Sequence, residues 1–249
     1  MSHRMQDKIV IITGASSGLG RATAELMVAE GARVVMADIN QEVGAAAAQT
    51  IGADFMRTDV GNPAEVEALV TETVARYGRL DVMCNNAGVH AATTLLETTN
   101  DDFERMVAVN FGGIFYGTRA AGRVMAEQGS GVIVNTASNG GYLPTEGMAV
   151  YCGTKAAVVA MSKACALELA PRGVRVNTIS PGTMLSGMVP DVEGIVEILD
   201  KLQPIGYAAN PSRMATGILY LASDDADYVT GHDLIVDGGA TAGRVAVGI

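Results

Sequence analysis

The chain has 249 residues, 49% hydrophobic and 18% charged, a balance that predicts a folded chain with a large core and excludes a disordered one. The formal net charge of -10 at pH 7 leaves no basic footprint for DNA or RNA, so nucleic acid is not expected as a partner. No apolar run approaches the ~18 residues of a membrane span, and the apolar part of the opening MSHRMQDKIVIITG is too short for a signal peptide.

The elements follow in chain order as short apolar runs alternating with Ala-rich helical patterns. KIVIIT (8–13) reads as a buried strand, GLGRATAELMVAEG as a helix capped at Gly31, and ARVVMAD (32–38) as the next strand. QEVGAAAAQTI reads as a helix and DFMRTDV (54–60) as a third strand. Pro63 suits the first turn of a helix through AEVEALVTETVARYG. LDVMCNNAG (80–88) reads as strand then turn, and one long helix is predicted over 99–127. GVIVNTAS (131–138) is a buried strand, AVYCGTKAAVVAMSKACALELA (149–170) a helix, and VRVNTIS (174–180) a strand stopped by Pro181 and Gly182. A short helix near 192–201, a helix near 211–222 and a closing strand in HDLIVDGG (232–239) complete the pattern. Strand–helix alternation repeated about six times, with continuously apolar strands, predicts a parallel sheet covered on both faces: a doubly wound α/β fold in one domain.

Cys84, Cys152 and Cys165 form no CxxC pair, and His3, His90 and His232 match no metal-ligand spacing, so neither a disulfide framework nor a metal is expected. A reducing, cytoplasmic setting fits that pattern. TGASSGLG (13–20) follows the first strand and opens the first helix, with Gly14, Gly18 and Gly20 spaced one residue wider than the usual dinucleotide fingerprint. Glycines there allow a tight turn, a close approach to a pyrophosphate and close helix–strand packing, while the free helix N–H groups face the phosphates. Asp38 ends the second strand about 20 residues later, where a carboxylate can bind the adenosine ribose and repel a 2′-phosphate; this favours NAD over NADP. Asp59 ends the third strand and is placed to reach the adenine.

Tyr151 and Lys155 are four apart near the start of an almost uncharged helix, and so share one face. TGASSGLG, NNAG (85–88), Asn110, Ser138, YCGTK (151–155) and PG (181–182) stand in one order and spacing over nearly the whole chain. In these features the sequence resembles the short-chain dehydrogenase/reductase family, in its common branch of about 250 residues. The resemblance implies a seven-stranded parallel sheet and reversible hydride transfer between a nicotinamide cofactor and an alcohol or carbonyl. It implies catalytic roles for Asn110, Ser138, Tyr151 and Lys155. It implies cofactor contacts from the glycine turn (Gly14, Ser16, Ser17, Gly18, Leu19, Gly20), from Asp38, Ile39, Asp59 and Val60, and from Asn86, Ala87 and Gly88. Tyr151, Lys155, Pro181, Gly182, Thr183 and Ser186 complete that set, Ser186 standing where the family usually has Thr. The turn carries no Arg or Lys and Ile39 follows Asp38, which again favours NAD.

Elementary chemistry agrees with those roles. Alcohol oxidation needs a base, a free Tyr has a pKa of about 10, and an ammonium at ~4 Å would lower that by about three units. Tyr151 is therefore expected as general acid/base with Lys155 as its activator, and Ser138 as a hydrogen-bond partner of the substrate oxygen; for Asn110 the resemblance implies a water held in a proton relay from Lys155 to solvent. Segments 89–97, 139–148 and 183–210 are expected to line the substrate pocket, the last as a lid. They offer His90, Asn139, Tyr142, Leu143, Met148, Met184, Leu185, Met188 and Val189, with the acidic Asp191 and Glu193 and few basic residues. A neutral, moderately apolar secondary alcohol or ketone, cyclic ones included, fits such a lining. The alternatives are a 3-oxoacyl-carrier ketoreductase using NADPH and a non-catalytic NAD-binding regulatory protein. The resemblance also implies a homotetramer, packed through the helices around 99–127 and 149–170, and the tail ATAGRVAVGI is read as crossing to a neighbour.

Overall fold

The computed structural model describes residues 3–185, 194–201 and 203–243. Seven parallel strands form one sheet in the order β3-β2-β1-β4-β5-β6-β7. They are β1 (Ile9–Thr13), β2 (Arg33–Asp38), β3 (Asp54–Arg57), β4 (Val82–Asn85), β5 (Gly131–Thr136), β6 (Val174–Pro181) and β7 (Asp233–Val236). The helices are α1 (Gly18–Ala29), α2 (Gln41–Ile51), α3 (Pro63–Tyr77), α4 (Asn100–Val107), α5 (Ile114–Gln128), α6 (Ala149–Leu169), α7 (Ile195–Lys201) and α8 (Pro211–Ala222).

The unbroken apolar strands of the sequence are explained by burial on both faces. Every residue of β1 is buried, and alternate ones feed different cores. Val10 and Ile12 pack with Leu19 and Met27 of α1, Ala47 of α2 and Ile218 of α8. Ile9 and Ile11 pack on the other face with Leu69 of α3, Met125 of α5 and Ala166 of α6. The result is the predicted three-layer doubly wound sandwich. Strand order reverses between β1 and β4, both of which are paired to neighbours on either side. Open parallel sheets form their ligand crevice outside the carboxyl ends of the strands at such a reversal.

Several boundaries differ from those read in the sequence. The third strand stops at Arg57 because Asp59 turns the chain, its Oδ1 accepting from Gly61 N at 2.9 Å. Glu30, not Gly31, is the C-cap of α1, with Gly31 the next residue. The long helix over 99–127 is interrupted: α4 and α5 are joined by a π-helical turn, Ala108–Gly113. Apolar periodicity does not encode a single wider turn, and such turns cluster at functional sites. The short helix expected near 192–201 begins at Ile195, and residues 186–193 and 244–249, which include part of the segment expected as a lid and most of the tail, lie outside the described residues.

A buried polar chain crosses the core beneath the reversal point. Asn85 Nδ2 donates to Asn135 Oδ1 at 2.9 Å, and Asn135 Nδ2 donates to Ser162 Oγ of α6 at 2.9 Å. Thr118 of α5 joins both amides. Ser162 lies seven residues after Lys155 on the same helix, so this chain fixes the rotation of α6 on the sheet.

Candidate active site

The carboxyl ends of the strands open into a cleft of ≈ 550 Å³. Its first wall is the β1–α1 turn. Gly14 and Gly18 have φ of 64° and 53°, the left-handed region that favours glycine. Gly20 is buried behind the wall: a Cβ there would stand 2.2 Å from Gly14 O and 2.7 Å from Asn86 Nδ2. It is thus a packing glycine, absent from the lining that Gly14, Ser16, Ser17, Gly18 and Leu19 provide. The Ser17 side chain makes no cap hydrogen bond, so the first N–H groups of α1 keep their capacity for an anion. A cradle of this kind, built from glycines in the left-handed region and the uncapped N–H groups of a helix, fits a dinucleotide pyrophosphate.

The turn after β4 is fastened to that wall. Thr13 Oγ1 accepts from Asn86 N at 3.0 Å and Ala87 N at 3.1 Å, while Asn86 Nδ2 donates to Thr13 O at 3.0 Å. Asn86, Ala87 and Gly88 all line the cleft. At the β2–β3 end stand Asp38, Ile39, Asp59 and Val60. Asp38 is half-buried, with Oδ2 accepting from Ser16 N at 3.1 Å and Oδ1 from Asn40 N at 3.0 Å. The carboxylate thereby ties the β2 end to the glycine turn.

At the other end, Ser138, Tyr151 and Lys155 come together beside Pro181 and Gly182. Ser138 follows β5 and caps a short turn, Asn139–Gly141, its Oγ accepting from Gly140 N at 3.1 Å. A Cβ on Gly140 would lie 3.3 Å from Ser138 Oγ and 3.7 Å from the Tyr151 ring, so both groups share one small space. Lys155 is 3% exposed; its Nζ donates to Thr136 O at 2.9 Å and lies 5.7 Å from the centre of the Tyr151 ring.

The electrostatics here differ from the sequence argument. Burial pushes the Tyr151 phenol above its ordinary value, with the Ser138 hydroxyl pulling the other way. Burial likewise pushes the Lys155 ammonium down to about 8. The expected lowering of Tyr151 by Lys155 is therefore not found: desolvation, which disfavours a charge on either group, decides both shifts.

Asn110 is fully buried in the π-turn and does not line the cleft. Its Oδ1 accepts from Val89 N at 2.8 Å, and its Nδ2 donates to Val89 O at 2.8 Å and to Thr154 Oγ1 at 3.4 Å. It clasps the end of the β4 turn. Gly88 separates Asn110 from Lys155: a Cβ on it would be 3.4 Å from Asn110 Oδ1 and 3.5 Å from Lys155 Nζ.

The substrate candidates are less united. Ser138 and Met184 line the cleft, and exposed His90 stands edge-on to Tyr151 with ring centres 6.2 Å apart. Asn139, Met148 and Leu185 do not line it. Tyr142 is turned away, its OH donating to Asp233 Oδ2 at 2.6 Å, and Leu143 is 52% exposed. The Thr183 hydroxyl accepts from Gln203 Nε2 at 3.1 Å rather than facing the cleft freely. Ser186, Met188, Val189, Asp191 and Glu193 lie outside the described residues. Sequence reading missed Thr13 and Thr136, although each ends an apolar strand at its carboxyl edge, and Arg105, for which no pattern gave a signal.

Residues 14–241 match a family model described as "Enoyl-(Acyl carrier protein) reductase". The 2,5-dichloro-2,5-cyclohexadiene-1,4-diol dehydrogenase LinX of Sphingobium indicum is 41% identical over 249 residues, 98% of this chain and 100% of that one. A crystal structure of a short-chain type dehydrogenase/reductase from Mycobacterium marinum superposes with a TM-score of 0.92 at 32% identity, covering 97% of this chain and 98% of the other. The chain belongs to the short-chain dehydrogenase/reductase family. Further relatives are the mitochondrial borneol dehydrogenase of Lavandula x intermedia, 38% identical over 96% of this chain and 92% of its own. The 3-alpha-(or 20-beta)-hydroxysteroid dehydrogenase of Mycobacterium tuberculosis is 38% identical over 98% of this chain and 93% of its own. Membership in the short-chain dehydrogenase/reductase family makes the protein an oxidoreductase with a nicotinamide cofactor, which the glycine cradle fits. No helix among the described residues is long and apolar enough to cross a membrane.

Proposed function

We propose that the protein is an NAD(H)-dependent oxidoreductase that interconverts a secondary alcohol and a ketone, with Tyr151 as general acid/base. The observation that carries this reading is the convergence of Ser138, Tyr151 and Lys155 on the same cleft as the glycine cradle and Asp38. In oxidation, the Ser138 hydroxyl holds the substrate oxygen and Tyr151 takes the hydroxyl proton. The bound nicotinamide supplies the acceptor for the hydride leaving the carbinol carbon. The Lys155 ammonium favours the phenolate, the positive charge of a bound oxidised nicotinamide would add to this, and together they would oppose the desolvation that raises Tyr151. Lys155 orients the cofactor ribose. Asn110 holds the 88–89 turn against α6, and the side-chain-free Gly88 between it and Lys155 leaves room for a relay water.

Asp38 supports NAD over NADP, because a 2′-phosphate would face a carboxylate already fixed by two backbone amides. Dinucleotide titrations and a coupled absorbance assay test this. NAD is expected to be preferred by about 10-fold or more, a difference of about 1.4 kcal/mol, and Asp38→Ala should erase most of the preference. Preferential use of NADP by the wild type would sink the assignment. The relatives' names specify a cyclohexadienediol and a hydroxysteroid, which supports a neutral, ring-bearing alcohol as substrate. Turnover restricted to acyl-carrier substrates in a panel would instead support the ketoreductase alternative, in line with the family model's description.

The same reading treats residues 1–249 as one dinucleotide-binding and catalytic unit with a lid at 183–210. It also includes a homotetramer, supported by exposed Leu167 (80%) and Phe103 (49%) and by an apolar groove of ≈ 260 Å³ between α4 and α6. A monomer by light scattering at micromolar concentration would refute the assembly.

A further inference from the structure

One cation of the cleft has no part in the reaction just described. Arg105 of α4 lines the cleft together with Val109, one helical turn on, and the two share a helix face. It is exposed, and its side chain has neither an ion pair nor a hydrogen bond among the described residues. Its position along the cleft is set by the turn after β3. Ala108 Cβ lies 3.8 Å from where a side chain on Gly61 would begin, and Gly113 backs onto Val60. Arg105 therefore stands at the β2–β3 end, whereas Lys155 belongs to the β5 end.

The end of the cleft that Arg105 lines has a specific chemistry. Ile39, Val60 and Val109 provide apolar walls, and Asp38 and Asp59 provide acceptors at the rim. Apolar side chains beside carboxylate acceptors suit a planar base that donates hydrogen bonds. A planar guanidinium without a carboxylate partner suits the face of such a base, because it stacks on π systems and is more weakly hydrated than an ammonium. We infer that Arg105 is a cofactor-binding residue that closes over the adenine of the dinucleotide by stacking its guanidinium on the base. The inference rests on the proposal that this cleft takes a nicotinamide dinucleotide.

Calorimetric titration of wild type, Arg105→Ala and Arg105→Lys with ADP-ribose, 2′,5′-ADP and NADH tests it. Arg105→Ala should weaken ADP-ribose and NADH by about 2- to 30-fold, the range of a cation–π contact. Arg105→Lys should recover only part of this, since it restores the charge without the plane. Thermal unfolding of both variants should match the wild type, because the side chain is exposed. Unchanged ADP-ribose affinity in Arg105→Ala would overturn the stacking role while leaving the dinucleotide reading intact. Full rescue by Lys, or a loss confined to 2′,5′-ADP, would overturn it in favour of a phosphate contact. A wild type that binds neither NADH nor ADP-ribose would overturn the dinucleotide reading itself, and the inference with it.

Discussion

The two ends of the cleft are built by opposite means. At the β1–α1 end the backbone does the shaping: left-handed Gly14 and Gly18, a Gly20 with no room for a Cβ, and Thr13 and Asn86 fastening one turn to another. At the β5–α6 end side chains do it: Tyr151, Lys155 and Ser138 meet where burial disfavours a charge on both ionisable groups. The first end depends on space and free N–H groups, so it tolerates no added atoms. The second depends on proton affinity, so it tolerates changes of shape better than changes of charge.

The sharpest separation of the two ends is expected from Tyr151→Phe. It removes the phenolic proton carrier and keeps the ring, so turnover should fall by about 100- to 10,000-fold, the usual contribution of general acid/base catalysis. Dinucleotide affinity, set mainly by the other end, should stay within a small factor. A variant with near-wild-type turnover in the coupled assay would break the proposed division of labour.

Lys155 comes next. Its folded value, about 8, lies below its ordinary 10.5, so between those pH values the unfolded chain binds more protons and folding stability rises with pH. This contribution is fully present above 10.5 and is lost as pH falls through about 8. The gap between the two values corresponds to about 3 kcal/mol. In denaturant titrations from pH 7 to 10.5, Lys155→Met should lack this rise. The stability difference between variant and wild type should therefore change by up to about 3 kcal/mol over that window. A constant difference would show that the buried ammonium carries no such penalty.

Gly20→Ala tests the backbone end. Its Cβ would meet Gly14 O at 2.2 Å, and neither backbone can yield without moving the turn. Overpacking of this kind costs about 1–3 kcal/mol, and the displaced cradle should lose about 10-fold or more in NADH affinity. Wild-type melting and binding in this variant would show that the turn is looser than the geometry implies.

These two ends also differ in how much of them the sequence declares. The strands are legible because residues such as Ile9–Thr13 are apolar without interruption, which only burial on both faces explains. The glycine turn and the Tyr151–Lys155 spacing are local patterns, and local patterns survive in one dimension. Asn110 shows what does not survive. Its poor helix propensity is visible, but the π-turn that aims it at Val89 depends on a contact with residues 21 positions away. Arg105 looks like any solvated helix charge until the β3 turn is seen beside it. The Tyr151 pKa fails for a related reason: spacing identifies the neighbouring lysine, but only the packed structure shows how far both groups are removed from water.

The smallest expected effect concerns Tyr142, which sequence reading set in the pocket and the fold turns outward. Its hydroxyl reaches Asp233, whose carboxylate also accepts from Ser180 Oγ at 3.0 and 2.8 Å, and so joins the loop after β5 to β6 and β7. Burial and the Asp233 carboxylate together raise the Tyr142 phenol, which keeps it protonated as the donor. Tyr142→Phe keeps the ring and removes the bond. Because Tyr142 is 45% exposed, the loss should be only about 1 kcal/mol, a fall in melting temperature of about 2–4 °C. That loop begins at Ser138, so the alcohol KM should rise more than the dinucleotide KM. Equal changes in both constants would mean that the tie supports the fold generally and does not single out the reaction end.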